Sequence, residues 1–295
     1  MTRPILLTAL GLALAPVTST AQSVDEPPKE FNAKVIALGH QRAATFVRSK
    51  KDRVMEVPNV DGSKMEKVVI KAGTPIEVRG EKFEYLPAQV FYQNRTQGEL
   101  EDMKPLRLVA NQISPTLTIK PRTTLNLSLR TPAANPDDKA TFSPYVAATL
   151  PSADSLVTLV ANIKDKEFWR KPSVFTFDTS PQALPPASLF FFNATPFPIE
   201  LDVPLRDSKE PLIVEAYKTA TVQPGVNSKG RTRAIVKLIS RKAGIKKQFY
   251  YNTVLVPQNG RVYLMAHFDP TPNAPNPACI VQFSDKIAPA SPVSN

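Results

Sequence analysis

His40, His267 and Cys279 are the only histidines and the only cysteine of the chain. Nucleophilic catalysis of the triad kind needs a base beside its nucleophile, most often His. These residues stand far apart, in ALGHQR, LMAHFDP and ACIVQF, and neither histidine adjoins a Gly-x-Ser-x-Gly elbow. Both histidines are therefore read as turn or sheet-face residues at the ends of strands. One Cys and two scattered His supply no zinc site of the usual ligand count. Cys279 is expected as a small buried residue of a late strand, with an intermolecular disulfide as the lesser alternative.

Carboxylates are more numerous, and an Asp/Glu pair could hydrolyse a glycoside. The candidates, Glu99, Glu101 and Asp102 in QGELEDMK and Asp137 and Asp138 in NPDDK, read as solvated loops without the spacing of a calcium loop. Trp169, the only tryptophan, is expected in a partly buried hairpin rather than as a sugar-stacking platform. No catalytic residue, cofactor site or metal site is expected, and the chain is not read as an enzyme.

The positive charge is unevenly placed. Residues 22–215 hold 25 Lys and Arg against 24 Asp and Glu, whereas residues 216–268 hold ten basic residues and no acidic one. Within that stretch RTRAIVKLISR alternates, so Arg231, Arg233, Lys237 and Arg241 fall on one face of a strand and Ala234, Val236 and Leu238 on the other. KKQFYYNTVLV follows and adds Lys246, Lys247, Phe249, Tyr250 and Tyr251 on a neighbouring strand. A basic strand beside tyrosines suits an anionic polymer, with Lys and Arg meeting its charges and aromatic faces stacking on its rings. The competing expectation is a solvated face that deters edge-to-edge aggregation.

The elements that must carry these residues are short strands. Thirty prolines against ten glycines break the chain into β-branched and aromatic runs such as KVIAL, TLNLSL, SVFTFD, LFFFNA and RVYLMAHF, separated by Pro, Gly, Asn and Asp. The expected fold is all-β: two tandem, related, antiparallel β-sandwich units of immunoglobulin-like kind. They follow a signal peptide at 1–21, which has Arg3, an apolar run from Ile5 to Val17 and small residues at Ser19 and Ala21. No segment is long and apolar enough for a membrane-spanning helix.

The units are suggested by a repeat. LPAQVFYQNRT at 86–96 and PPASLFFFNAT at 185–195 share a pattern that lays Asn193 on Asn94. Lys104-Pro105-Leu106 then meets Glu210-Pro211-Leu212, Thr118 to Pro121 meets Thr221 to Pro224, Leu150-Pro151 meets Val256-Pro257, and 155–161 meets 261–267. The expected boundaries are a first unit at 31–175, a Pro-rich linker at 176–188, a second, basic unit at 189–269 and an extended tail at 270–295. Asn94, Asn126 and Asn193 also fit the N-x-Ser/Thr glycosylation pattern, which matters only in a eukaryotic secretory cell.

The segments TFVRSKKDRVMEVP, YVAATLPSADSLVTLV and FDTSPQALPPASLFFFNATPFPIELDV resemble a group of exported β-sandwich proteins of Gram-negative environmental bacteria to which no activity is assigned. The resemblance implies an envelope or secreted protein and carries no catalytic residues. Together these features point to a non-enzymatic, exported structural or adhesive protein, periplasmic, outer-surface or extracellular. Its expected ligands are an anionic glycan, lipopolysaccharide or peptidoglycan, or another envelope protein. Nucleic acid is disfavoured because no nucleic-acid fold motif appears. The alternative is a carbohydrate-active enzyme or the accessory subunit of an envelope complex.

Overall fold

The computed structural model describes residues 30–40, 45–58, 65–78, 84–93, 103–120, 123–131, 140–164, 167–205, 208, 210–239, 244–269 and 278–286. The signal peptide, Asn94, Glu99, Glu101, Asp102, Asp137, Asp138 and Arg241 lie outside them. The described chain is all-β. Its strands are β1 Phe31–Leu38, β2 Thr45–Arg48, β3 Arg53–Pro58, β4 Met65–Ile70, β5 Pro75–Val78, β6 Gln89–Gln93, β7 Met103–Arg107, β8 Leu117–Ile119, β9 Thr124–Thr131 and β10 Thr141–Thr149. They continue with β11 Asp154–Val160, β12 Ser173–Asp178, β13 Ser188–Ala194, β14 Ile199–Asp202, β15 Leu212–Val214, β16 Thr219–Val222, β17 Arg231–Ile239, β18 Lys246–Leu255, β19 Gly260–Phe268 and β20 Ala278–Lys286.

Four sheets have four strands each: β12-β11-β1-β8 (the first), β10-β9-β6-β7 (the second), β16-β13-β19-β20 (the third) and β15-β14-β17-β18 (the fourth). Two further ribbons, β2-β5 and β3-β4, run between β1 and β6. Apolar side chains stack the large sheets in the order second, first, third, fourth. One cluster joins Val35, Leu125, Leu127 and Val157 between the second and first sheets. Another joins Phe191, Val236 and Leu264 between the third and fourth. A middle cluster joins Ile36, Leu156, Phe190, Phe192 and Met265 between the first and third.

This stacking explains the continuous apolar runs. SLFFFNA is buried at every position because Leu189 and Phe191 enter one cluster while Phe190, Phe192 and Ala194 enter another. It also corrects the expectation of purely antiparallel sheets. β1 pairs with β11, and β13 with β19, in parallel, and these four inner strands are covered on both faces.

The first and third sheets follow the same chain order, β12-β11-β1-β8 matching β20-β19-β13-β16, and the second and fourth match likewise. The landmarks from Lys104, Thr118 and Leu150 onward fall on corresponding strands. The opening one does not. β6 lies in the second sheet beside β7, whereas β13 lies in the third and corresponds to β1. The true register is marked by two left-handed residues: Asn111 (φ 62°) donates its N–H to the Ala37 carbonyl and Tyr217 (φ 60°) to that of Asn193, each at 2.7 Å. Ala37 faces Leu159 and Asn193 faces Ala266 across the parallel pairs, so Leu159 corresponds to Ala266. The match by eye laid it on Met265, a one-residue slip that exchanges the two faces of a strand.

Two boundaries also move. The expected linker loses 176–178 to β12, and its Leu184, 1% exposed, sits in the middle cluster. The expected tail contains β20, which pairs along its length with β19.

Candidate functional site

β17 alternates as its sequence requires. Thr232, Ala234 and Val236 are buried, and Arg231 and Arg233 are exposed on the outer face of the fourth sheet. There they stand opposite Leu255 and Thr253 of β18, with Ile235 opposite Tyr251, which is 62% exposed. Lys237 shares this face. The register shift between Val236 and Lys237 carries Lys247 to the position opposite Leu238, while Lys246 stands opposite Ile239. Tyr250 turns inward and its hydroxyl donates to Gln282 Oε1 at 2.7 Å, so of the aromatics on this strand Tyr251 is the exposed one.

The expected basic row is partly neutralised from a strand the charge count overlooked. Glu200 of β14 faces Lys237 in the ladder, and both Lys237 Nζ (2.9 Å) and Lys246 Nζ donate to its carboxylate. Although on the outer face, Glu200 is only 2% exposed, because the two lysine chains cover it. Their hydrogen bonds hold the Glu200 carboxyl below its ordinary range against the opposing effect of desolvation. A folded-state pKa below the unfolded one adds stability that is complete above pH of about 4.5 and is lost as pH falls through the folded value. Glu200→Gln is accordingly expected to flatten the acid limb of a plot of urea midpoint against pH. An unchanged limb would show that the pair contributes nothing. Lys237→Ser, which leaves the carboxylate with one partner, should cost about 1–3 kcal/mol, whereas Arg233→Ser should stay within about 0.5 kcal/mol.

Sequence analysis did not foresee what lies at the two ends of the middle cluster. At the end where β1 finishes, His40, His267, Asp269 and Cys279 line one open cleft of about 540 Å³. Gly39 leads into it at φ 144°, where an added Cβ would come within 2.5 Å of the Ala161 Cβ, so glycine alone fits this approach. His40 Nδ1 lies 3.1 Å from Asp269 Oδ1, and the His40 carbonyl accepts a bond of 3.1 Å from Trp169 Nε1, whose indole is fully buried rather than partly so. His267 stands opposite Cys279 in the β19–β20 ladder.

A working Cys–His dyad needs a stabilised thiolate. Here burial pushes the Cys279 thiol up, with the Asp269 charge adding to it, and burial pushes His267 down. Both shifts favour the neutral forms of the two side chains. Among the described residues no group of three or more His, Cys, Asp or Glu is arranged to hold a metal ion.

At the other end, a cleft of about 300 Å³ is lined by Asn32, Lys34, Asp154, Arg261, Asp285 and Lys286, with Ser155, Thr179 and Pro181. Lys34 Nζ donates to Asp285 Oδ2 at 3.0 Å and the Tyr263 hydroxyl donates to the same oxygen at 3.1 Å, which ties the first sheet to the third. Burial, reinforced by the Asp285 charge, raises the Tyr263 phenol well above its ordinary value. Arg261 Nη1 donates to the Thr179 carbonyl. The sequence signal for this site was an Arg and an Asp, 24 residues apart, on the strand faces that also carry Tyr263, Met265, Val281 and Phe283. No protein-family model matches the chain, and no curated protein sequence does.

Proposed function

We propose that the chain is an exported, non-enzymatic envelope protein of two tandem, related, immunoglobulin-like β-sandwich units that binds anionic polymers through the outer face of the fourth sheet. The strand order shared by the two pairs of sheets supports the tandem reading, with the first unit running through β12 and the second from β13 through β20. The observation that carries the binding reading is the placement of Arg231 and Arg233, exposed side by side beside Thr253 and Leu255, on a segment with ten basic residues and no acid. Lys237 and Lys246 serve a different purpose in this reading, since Glu200 holds them; the arginines are the cations that meet the polymer. The ligand class is an anionic glycan, lipopolysaccharide or peptidoglycan.

The test is binding of the mature chain to polygalacturonate, lipopolysaccharide, DNA and neutral dextran across a salt series. Two neutralised charges should give a fall of roughly tenfold between 50 and 200 mM salt. The Arg231→Ser/Arg233→Ser variant should lose the binding and keep its melting temperature. Equal binding by parent and variant at low salt would remove the proposal.

A further inference from the structure

The outer face of β17 and β18 carries three pairs of side chains in a fixed order along the strands. Ile235 stands opposite Tyr251, Arg233 opposite Thr253, and Arg231 opposite Leu255. Thr232, Ala234 and Val254, which alternate with them in sequence, are buried, so the three pairs share the solvent side. Tyr251, Thr253 and both arginines are exposed, and a ligand reaches an aromatic face and two guanidinium groups without any movement of the fold. Successive pairs on this face lie about 6.8 Å apart, two residues at the rise of an antiparallel strand.

We infer that the polymer bound here is a carboxylated glycan lying along β17 and β18, with one sugar ring on Tyr251 and carboxylates of neighbouring units at Arg233 and Arg231. The inference deepens the binding reading proposed above and rests on it. A tyrosine offers a flat apolar face to the C–H side of a sugar ring while its hydroxyl stays in water. A guanidinium holds a carboxylate by two parallel bonds. Thr253, exposed opposite Arg233, supplies a hydroxyl for hydrogen bonds to the sugar. Charge spacing decides against a denser polyanion. A nucleic-acid strand carries one negative charge for about every 3.4 Å, which would set two charges against each arginine. The excess would meet Asp202, which stands opposite Ile235 on β14. Glu200 on the same strand is already held by Lys237 and Lys246. A glycan spreads one carboxylate over each whole ring and brings the apolar ring face that Tyr251 takes.

The experiment is titration of the mature chain, at several salt concentrations, with oligogalacturonate, its methyl ester, polyphosphate and a single-stranded oligonucleotide. Oligogalacturonate should bind at least about tenfold more tightly than the methyl ester, which keeps the rings and loses the charges that two arginines neutralise. It should also bind more tightly than either phosphate polymer of equal total charge. Tyr251→Thr, which keeps a strand-forming residue in place, should weaken oligogalacturonate by about fivefold or more, the low end for a stacked aromatic contact. It should leave the salt dependence and the binding of polyphosphate unchanged, because the ring carries no charge, and Tyr251→Phe should bind as the parent does. Arg231→Ser/Arg233→Ser should lose all the charged polymers. Two results overturn the inference and leave a general polyanion surface in place: equal binding of oligogalacturonate by Tyr251→Thr and the parent, or tighter binding of a phosphate polymer by the parent. The second comparison needs no variant, so it decides even if Tyr251→Thr does not fold. Failure of the parent to bind any charged polymer would instead remove the binding reading itself, and this inference with it.

Discussion

Asn193→Asp is expected to destabilise the protein by more than about 4 kcal/mol at neutral pH and to abolish its accumulation as a folded protein. The Asn193 amide is completely buried and fully used. Its Nδ2 donates to the carbonyls of Phe197 (2.7 Å), Val214 (2.9 Å) and Glu215 (3.1 Å), and its Oδ1 accepts from the N–H (3.0 Å) and the hydroxyl (2.7 Å) of Thr195. One side chain therefore fastens both the turn after β13 and the segment after β15 to the central strand of the third sheet. Aspartate has the same shape, but when ionised it donates nothing and sets a charge against three carbonyl oxygens. Each buried acceptor left unmatched costs about 1–3 kcal/mol, and an uncompensated buried charge about 3–5 kcal/mol. Asn193→Ala removes the same bonds without adding a charge and should cost less, about 2–4 kcal/mol. Urea denaturation followed by Trp169 fluorescence measures both. A variant with Asp at this position as stable as the parent at pH 7 would show that the amide network contributes nothing. The Asn-x-Thr phrase at 193–195 is thus a turn clamp, and its complete burial excludes Asn193 as a glycan acceptor in the folded chain.

Much of the fold was legible because its determinants are local. RTRAIVKLI alternates with period two, and β17 faces as that period requires. Proline and glycine marked the strand ends, and the landmarks from Lys104 to Val256 kept their order in both halves. What escaped was set by contacts distant in sequence. The parallel pairing of β1 with β11 joins residues more than 120 positions apart, so nothing in KVIAL announces its neighbour. LFFFNA looked like VFYQN because both are short apolar runs ending near an Asn, yet one is covered on both faces in the third sheet and the other lies in the second. The same remoteness hid the lysine–glutamate pairing. Glu200 precedes its partners by 37 and 46 residues and belongs to an acid-containing stretch, so a charge count along the chain assigned it to a different region from the lysines it neutralises. The histidines and the cysteine converge for a related reason: β1 and β19 finish, and β20 begins, at one edge of the middle cluster, and that edge is decided by register.

Phe191→Ala is expected to lower the melting transition seen by Trp169 by on the order of 10 °C, although the two side chains belong to different clusters. Phe191 is fully buried between the third and fourth sheets, and Trp169 is fully buried in the cluster between the first and second. Truncating a buried Phe costs about 3–5 kcal/mol, and in a chain of this size each kcal/mol moves the midpoint by roughly 2–4 °C. If each pair of sheets unfolded alone, the indole would not register the loss. The middle cluster argues that it must. Phe192 packs on Phe175 and Phe177 of β12 with ring centroids 5.0 and 4.9 Å apart, Phe177 also meets Phe190 at 5.1 Å, and Leu184 of the connecting segment is buried among them. Exposing that surface would uncover apolar area on inner strands whose other faces are already core, at about 25 cal/mol for each Å². The first and third sheets should therefore stay joined until both give way, with the fluorescence and far-ultraviolet transitions moving together. A Trp169 transition that stays in place while a second transition moves down would show that the two halves melt independently. In that event Phe192→Ala, which removes ring contacts across the middle cluster itself, would measure how little the two halves are coupled.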